Sequence, residues 1–435
     1  MSFEIPFSHI AEIIMGQSPK GEEVNNEGIG LPLLNGPTEF TDRYPAPAQH
    51  TAYAKKISLP GDILFCVRGS TTGRMNYSDQ KYCIGRGLAA IRGRNGYPTP
   101  YVKAVLETYL PKLLAAATGS TFPNVSKDLI NNIPVSVLPV ENACNISKLI
   151  ELQEEKVFTN NQINQTLEQM AQALFKSWFV NFEPVKAKMA VLEAGGSQED
   201  AMLAAMTAIS GKDDDALVVF EREHPEQYAE LKATAELFPS AMQDSELGNI
   251  PVTWELGKLQ DLLVLQRGFD LPSSARKDGE FPLIAASGPN GTHNVAMAKA
   301  PGVITGRSGV LGKVYLTLED YWPLNTTLWV KEFKRATPCY AYELLRLLDM
   351  KAFNAGSAVP SLNRNHIHSL SYPLPPMALV NLFESSALLL HQRAHVNLKH
   401  SQSLALLRDT LLPKLLSGEI TLPEAEQAVS EAENV

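Results

Sequence analysis

"APGVITGRSGVLGK", Ala300 to Lys313, decides the fold, because the same layout stands earlier in the chain as "LPGDILFCVRGSTTGR", Leu59 to Arg74. In both, Pro-Gly leads into a short apolar strand, and the strand leads into a loop of glycines, hydroxyls and bases. A nucleotide-binding loop is a poor fit, since Gly306 and Gly312 have five residues between them and Val314 stands where Ser or Thr should reach a metal. The likeness extends outward in both directions. "FEIPFSHIAEIIMGQSPK" opens the first copy and "WELGKLQDLLVLQRGFDL" the second. Downstream, "GSTFPNVSKDLINNIPVSVLPV" matches "GSAVPSLNRNHIHSLSYPLPPM", pairing Pro123 with Pro360 and Ile130 with Ile367. Each copy mixes short strands with helices and then runs into a long helical segment, an α+β pattern repeated in tandem.

The first long segment, from about Asn142 to Phe182, carries Ile146, Leu149, Ile163, Leu167, Met170 and Leu174 at alternating spacings of three and four, with Gln153, Lys156 and Asn160 midway. The second, from about Ala378 to Leu412, carries Phe383, Ala387, Leu390, Ala394, Leu404 and Leu411, with Asn397 and Ser401 at its centre, and Pro413 is expected to end it. A seam that is apolar at both ends and polar in the middle suits two helices pairing antiparallel, the polar residues fixing the register. The alternative is that each helix packs on its own copy. Length argues against that, since roughly 40 residues span about 60 Å, more than a domain of this size is wide.

With 44% hydrophobic and 20% charged residues, the 435-residue chain reads as a soluble protein of several domains. No apolar run approaches the roughly 20 residues needed to cross a bilayer, and the opening residues lack a basic region before an apolar core, so a cytoplasmic location is expected. Cys66, Cys83, Cys144 and Cys339 are too dispersed for a metal knuckle. The net charge of -9 speaks against nucleic acid until its distribution is considered. Residues 184–247 hold 5 basic and 13 acidic side chains, and 419–435 hold 5 acidic and no basic ones, which leaves +4 on the rest. The body is mildly basic and two appendages are acidic. Residues 183–247 read as two or three short helices without chemistry of their own, and the tail as polar and mobile.

No GxSxG elbow or strand-associated GxGxxG is present. His391 and His395 lie one helical turn apart, but Gln392 stands where a metalloprotease has its base, so a solvated helix face is the expectation. What repeats is a polar and basic set on loops. Arg68, Ser70, Thr71, Thr72 and Arg74 correspond roughly to Arg307, Ser308 and Lys313; such residues suit an anionic backbone, or simply a tight turn with surface cations. A second loop pair offers Asn124, Ser126 and Lys127 in one copy, and Ser361, Asn363, Arg364, Asn365 and His366 in the other. Asn and Arg can read adenine and guanine edges bidentately, though Ser126 and Asn363 also fit as helix N-caps. The copies share an apolar frame and differ in these polar positions, which implies two different targets.

These stretches, together with "LEQMAQALFKSWFVNFEPVKAKM" and the closing "LRDTLLPKLLSGEI", resemble the specificity subunits of type I restriction-modification systems over nearly the whole chain. The resemblance implies target-recognition domains at 1–141 and 248–376, long spacer helices at 142–182 and 377–417 forming an antiparallel coiled coil, an acidic helical insertion at 183–247 and an acidic tail at 418–435. It implies a non-catalytic, sequence-specific subunit whose two domains each read half of a split, asymmetric site in double-stranded DNA. The helices would hold the domains apart by about one DNA turn, ~34 Å. They would also dock two DNA adenine methylase subunits, with Leu167, Met170, Leu174, Leu404 and Leu411 as candidate contacts. A restriction and translocase subunit would complete the assembly. This chain would bind no cofactor; S-adenosylmethionine, ATP and Mg2+ would belong to the partner subunits.

Overall fold

The two copies share one strand order. In the computed structural model, which describes residues 3–117, 123–354 and 360–433, the first copy forms a four-stranded antiparallel sheet in the order Ala11–Met15, Leu88–Gly93, Ile63–Cys66, Met75–Tyr77. The second repeats it as Leu263–Arg267, Thr327–Phe333, Gly302–Gly306, Val314–Thr317. A strand pair closes each copy, Phe3–Pro6 with Pro134–Val137 and Glu255–Lys258 with Ser371–Leu374.

The strand Ile63–Cys66 is apolar throughout because it feeds two cores. Ile63 and Phe65 face one hydrophobic cluster with Tyr101 and Val105 of the helix Thr99–Ala115, while Leu64 and Cys66 face another with Tyr82 and Ile84. A strand covered on both faces loses the usual alternation of apolar and polar residues. Val303 and Ile304 divide in the same way in the second copy.

The chain separates into two bodies, one made of residues through Ile163 together with those from Asn397 onward, the other of Asn164–Val396. Both long helices, Val140–Phe179 and Met377–Ser417, run through this division. Within the first body, Ile146 and Ile150 share a core with Leu412, Leu415 and Leu416. There Asn160 Nδ2 donates to Ser401 Oγ at 3.1 Å and to the Asn397 carbonyl at 3.4 Å. Within the second, Asn164 Nδ2 donates to the Ala394 carbonyl at 3.0 Å, and Phe175 and Phe179 pack on Phe383 with ring centroids 5.5 Å apart. The direction is antiparallel in each. Gln153, Asn160, Asn397 and Ser401 are buried at the seam. These amides and the hydroxyl fix register because a slip would leave buried polar groups unpaired.

The first seam differs from its expected composition. Ile163 and Met170 are 40% and 51% exposed and Lys156 is exposed, whereas Gln153 and Asn160 are buried as expected and Ile150, Asn164 and Ala171 take the remaining inward positions or lie at their edge. Pro413 does not end the second helix, which continues to Ser417 before Gly418 at φ +79°. Proline removes one backbone N–H, but its ring lies on the exposed side, and the burial of Leu415 and Leu416 offsets that loss. The tail also differs from expectation, since Leu422–Glu433 is a helix, with a capping interaction from Glu424 to Thr421 and Ala425 buried in the first body's core.

The acidic stretch folds into four helices, Glu183–Glu193, Gln198–Ser210, Asp214–Glu223 and Pro225–Glu236, rather than two or three. They belong to the second body. Phe182 and Val185 join its core beside Trp254, and the buried Lys188 ammonium donates to the carbonyls of Ala235 and Phe238 at 2.6 and 2.7 Å. These carbonyls lie at the C-terminal end of the helix Pro225–Glu236, where a cation is favoured. Burial lowers the Lys188 pKa.

His391 is not on a solvated face. Its ring packs edge-on against Tyr342 at 5.4 Å, Nε2 is buried, and desolvation chiefly pulls its pKa down to about 4. An unfolded histidine takes up its proton near pH ~6.5, so between there and about 4 the unfolded state binds the extra proton and stability falls as pH falls. Trp178, Trp254, Trp322 and Trp329 all lie in the second body, so tryptophan fluorescence follows that body alone. We expect denaturant unfolding read this way to show wild type losing more stability from pH 7 to pH 5 than His391→Gln. Parallel pH profiles for the two proteins would refute the assignment. Among the described residues no group of three or more His, Cys, Asp or Glu is placed to hold a metal, and no helix is long and apolar enough to cross a membrane.

Candidate nucleic-acid interface

In each copy the structure joins the glycine loop to the loop at the matching proline, Pro123 in the first and Pro360 in the second. In the first, Gly69 N donates to Pro123 O at 3.3 Å and Val125 N to Val67 O at 2.8 Å, so Arg68 and Asn124 stand opposite each other. Thr72 Oγ1 reinforces the join by donating to the carbonyls of Gly69 and Pro123, both at 2.8 Å. In the second, Gly309 N donates to Pro360 O at 2.9 Å and Leu362 N to Arg307 O at 2.8 Å, setting Ser308 opposite Ser361. Gly69 and Gly309 have φ of +96° and +87°, a region that admits glycine without strain.

These bonds correct the correspondence between copies. Gly69 matches Gly309, so Arg68 occupies the place of Ser308, and Arg307 that of Val67. Lys313 does match Arg74, since Gly306 N donates to Lys313 O as Cys66 N donates to Arg74 O. The second loop is one residue shorter between these anchors, which is why aligning it by its arginine shifts the register.

The capping reading holds for two candidates. Ser126 Oγ accepts from Leu129 N at 3.2 Å, and Asn363 Oδ1 accepts from Asn365 N at 3.0 Å. Each oxygen is therefore occupied at a helix start, leaving the Asn363 amide nitrogen as its outward group. Thr71 turns its hydroxyl toward Cys66 Sγ at 3.7 Å, and Arg74 Nη1 donates to Pro37 O at 3.4 Å. Arg68, Ser70, Asn124 and Lys127 are exposed, as are Lys313, Arg364, Asn365 and His366. Arg307, Ser308 and Ser361 are half-buried at the loop junction.

In the second body, Arg267, Arg307, Ser361, Asn363 and Arg364 line a concavity of about 440 Å³. Arg267 lies outside the repeated loops and is identified only by the sheet, which ends one strand beside Arg307. Behind Arg364, His368 Nε2 accepts from Leu265 N at 2.9 Å. Burial, then the charges of Arg364 and Lys334, depress its pKa. In the first body Lys56, Arg94, Lys127 and Asn131 line a cleft of about 460 Å³. Arg94 N bonds to Ile10 O as Lys334 N bonds to Leu262 O, so a base sits at the same place beside Lys127 as beside Arg364. The sequence signal for Arg94 and Lys334 was a base directly after a strand, too common to notice without the sheet.

Chemically, both surfaces are rich in donors. Guanidinium, ammonium, amide and hydroxyl groups on rigidly joined loops suit phosphate oxygens and base edges. Of the five candidate docking residues, Leu404 is 1% exposed inside the helix pair, Leu174 packs on the second body's core, Leu167 and Leu411 are half-buried, and Met170 is 51% exposed. Leu152, Leu389, Val396 and Leu406 are the most exposed of the large apolar residues on these helices that the helical periodicity did not single out, at 66%, 67%, 56% and 70%.

Residues 6–169 match the family described as type I restriction modification DNA specificity domain. The chain is 28% identical over 408 residues to the type I restriction enzyme HindI specificity subunit of Haemophilus influenzae, covering 84% of this chain and 88% of that protein. It is 22% identical over 384 residues to the type I restriction enzyme MjaIX specificity subunit of Methanocaldococcus jannaschii, covering 85% and 80%. Its fold is similar to that of the type I restriction-modification system S subunit from M. genitalium, with a TM-score of 0.54 at 14% identity over 95% of this chain and 96% of that one.

Proposed function

We propose, for a chain that belongs to the type I restriction-modification specificity subunits, that its two joined-loop surfaces are the two readers of a split DNA site. The chain recognises DNA sequence and is not itself the catalyst; it works in a complex with other subunits. The observation that carries the site assignment is the duplication with divergence. The same backbone bonds present Arg68, Asn124 and Lys127 in one copy and Ser308, Ser361 and Arg364 in the other. Equal frames with unequal donors make an asymmetric reader.

On this reading, Lys127, Lys313, Arg94 and Lys334 contact phosphate, while Arg68, Asn124, Arg307, Arg364 and Asn365 face base edges, with Ser308, Ser361 and His366 beside them. Ser126 and Asn363 position the loops as caps. Two DNA adenine methylase subunits dock on the outer faces of the helix pair through Met170, Leu389, Val396 and Leu406, and a restriction and translocase subunit joins them in the cytoplasm. S-adenosylmethionine, ATP and Mg2+ are bound by those partners.

Modified-base sequencing of genomic DNA from cells with the gene intact and deleted tests the function. Loss of adenine methylation at one split, asymmetric motif is expected on deletion. An unchanged methylation map in a strain expressing all partners would overturn the reading.

A further inference from the structure

A third loop lies beside the joined pair in each copy, and neither composition nor motif drew attention to it. In the first body it connects Tyr82–Ile84 to Leu88–Gly93, and in the second Trp322–Pro323 to Thr327–Phe333. Three backbone bonds and one strand pairing superimpose the two loops. Gly85 N donates to Leu34 O as Leu324 N does to Ile284 O, and Val67 N donates to Gly87 O as Arg307 N does to Thr326 O. Gly16 N donates to Leu88 O as Gly268 N does to Thr327 O, and Leu33–Leu34 pairs in parallel with Cys83–Ile84 as Leu283–Ile284 does with Trp322–Pro323. Arg86 and Asn325 therefore occupy one and the same backbone position, each directly before the residue whose carbonyl holds the glycine loop.

Both loop tips are tied to the segment after the first sheet strand. Arg86 N donates to Ser18 Oγ at 3.1 Å, which leaves its guanidinium outward and without an acidic partner among the described residues. Asn325 Nδ2 donates to Asp270 Oδ1, and Asp270 in turn accepts from Arg267 Nη2 at 3.2 and 3.4 Å. A carboxylate only accepts, so it fixes which end of the Asn325 amide faces it. One amide hydrogen is used. The other hydrogen and Oδ1 remain, the donor and acceptor pair that matches the N7 and N6 edge of adenine. An arginine at the same place matches the O6 and N7 edge of guanine.

We propose that Arg86 and Asn325 are specificity-determining residues, equivalently placed base readers in the two half-sites, with Asp270 a positioning residue that orients Asn325. The proposal rests on the joined loops being the DNA-reading surfaces and extends it to a position that makes the two readers differ.

The test uses the full chain assembled with its methylase and DNA libraries randomised within each half-site. Arg86→Gln should lower discrimination at one position of one half-site by about 10-fold to 100-fold, leaving the other half-site unchanged. Asn325→Ala should do the same at one position of the other half-site, and Asp270→Asn should relax that same position more weakly. Uniform weakening across all sequences would make both residues phosphate contacts and overturn the proposal. Changes in both half-sites from one substitution would also overturn it, by showing a structural role. Arg364→Ala serves as the reference. If it relaxes a position while Arg86→Gln and Asn325→Ala do not, the third loop alone is excluded. If none of them alters base preference, the joined loops are not the reading surfaces.

Discussion

Phe383→Ala is expected to lower the unfolding free energy of the second body by about 3–5 kcal/mol. The ring is fully buried, with Phe175 and Phe179 at 5.5 Å, Trp178 at 6.4 Å and Tyr340 at 6.5 Å. Alanine leaves a void that aromatic neighbours fixed by the first long helix and by Pro338–Leu347 cannot collapse to fill. Because every tryptophan lies in this body, denaturant unfolding followed by fluorescence reads the effect directly. A loss below about 1 kcal/mol, the level of an exposed or collapsible site, would mean that the helices are not anchored by this cluster.

The second large effect separates reading from holding. Arg364→Ala should relax sequence preference at one position of one half-site by about 1–3 kcal/mol, while Lys313→Ala should weaken binding evenly and reduce the salt slope by roughly 1. Arg364 lines the second body's concavity together with Arg307 and Asn363, whereas Lys313 is exposed at the far end of its loop. Salt titrations of the assembled complex on matched and singly substituted duplexes decide it. An equal loss on every duplex for Arg364→Ala would assign that residue to phosphate.

The repeat was legible because the apolar frame is duplicated: Ile130 and Ile367 are both fully buried, and the bonds at Pro123 and Pro360 are equivalent. The second helix seam was legible for the same reason, since Phe383, Ala387 and Leu404 are buried as their spacing predicts. The first seam was legible only in part. Ile146, Gln153 and Asn160 are buried as their spacing predicts, but Ile163 and Met170 face outward, so past Asn160 a ranking by hydrophobicity puts the stripe on the wrong side. The offset at Arg307 arose similarly, because a one-residue difference in loop length is invisible until hydrogen bonds set the register. Arg86 and Asn325 escaped notice because they share a place in space but no residue type. Proline at 413 misled because its cost is offset by the burial of Leu415 and Leu416 in a core completed by distant residues, which the local sequence does not state.

The division of the chain has a consequence for its synthesis. The second body is built from one continuous stretch, Asn164–Val396, but the first needs Leu412, Leu415, Leu416 and Ala425 to complete a core begun at Phe7. Asn160 and its partner Asn397 are 237 residues apart. On the ribosome the body that begins first is therefore the last that can close. Its apolar face stays open while the whole second body is translated, and the closing contacts carry the slow kinetics of long-range pairing.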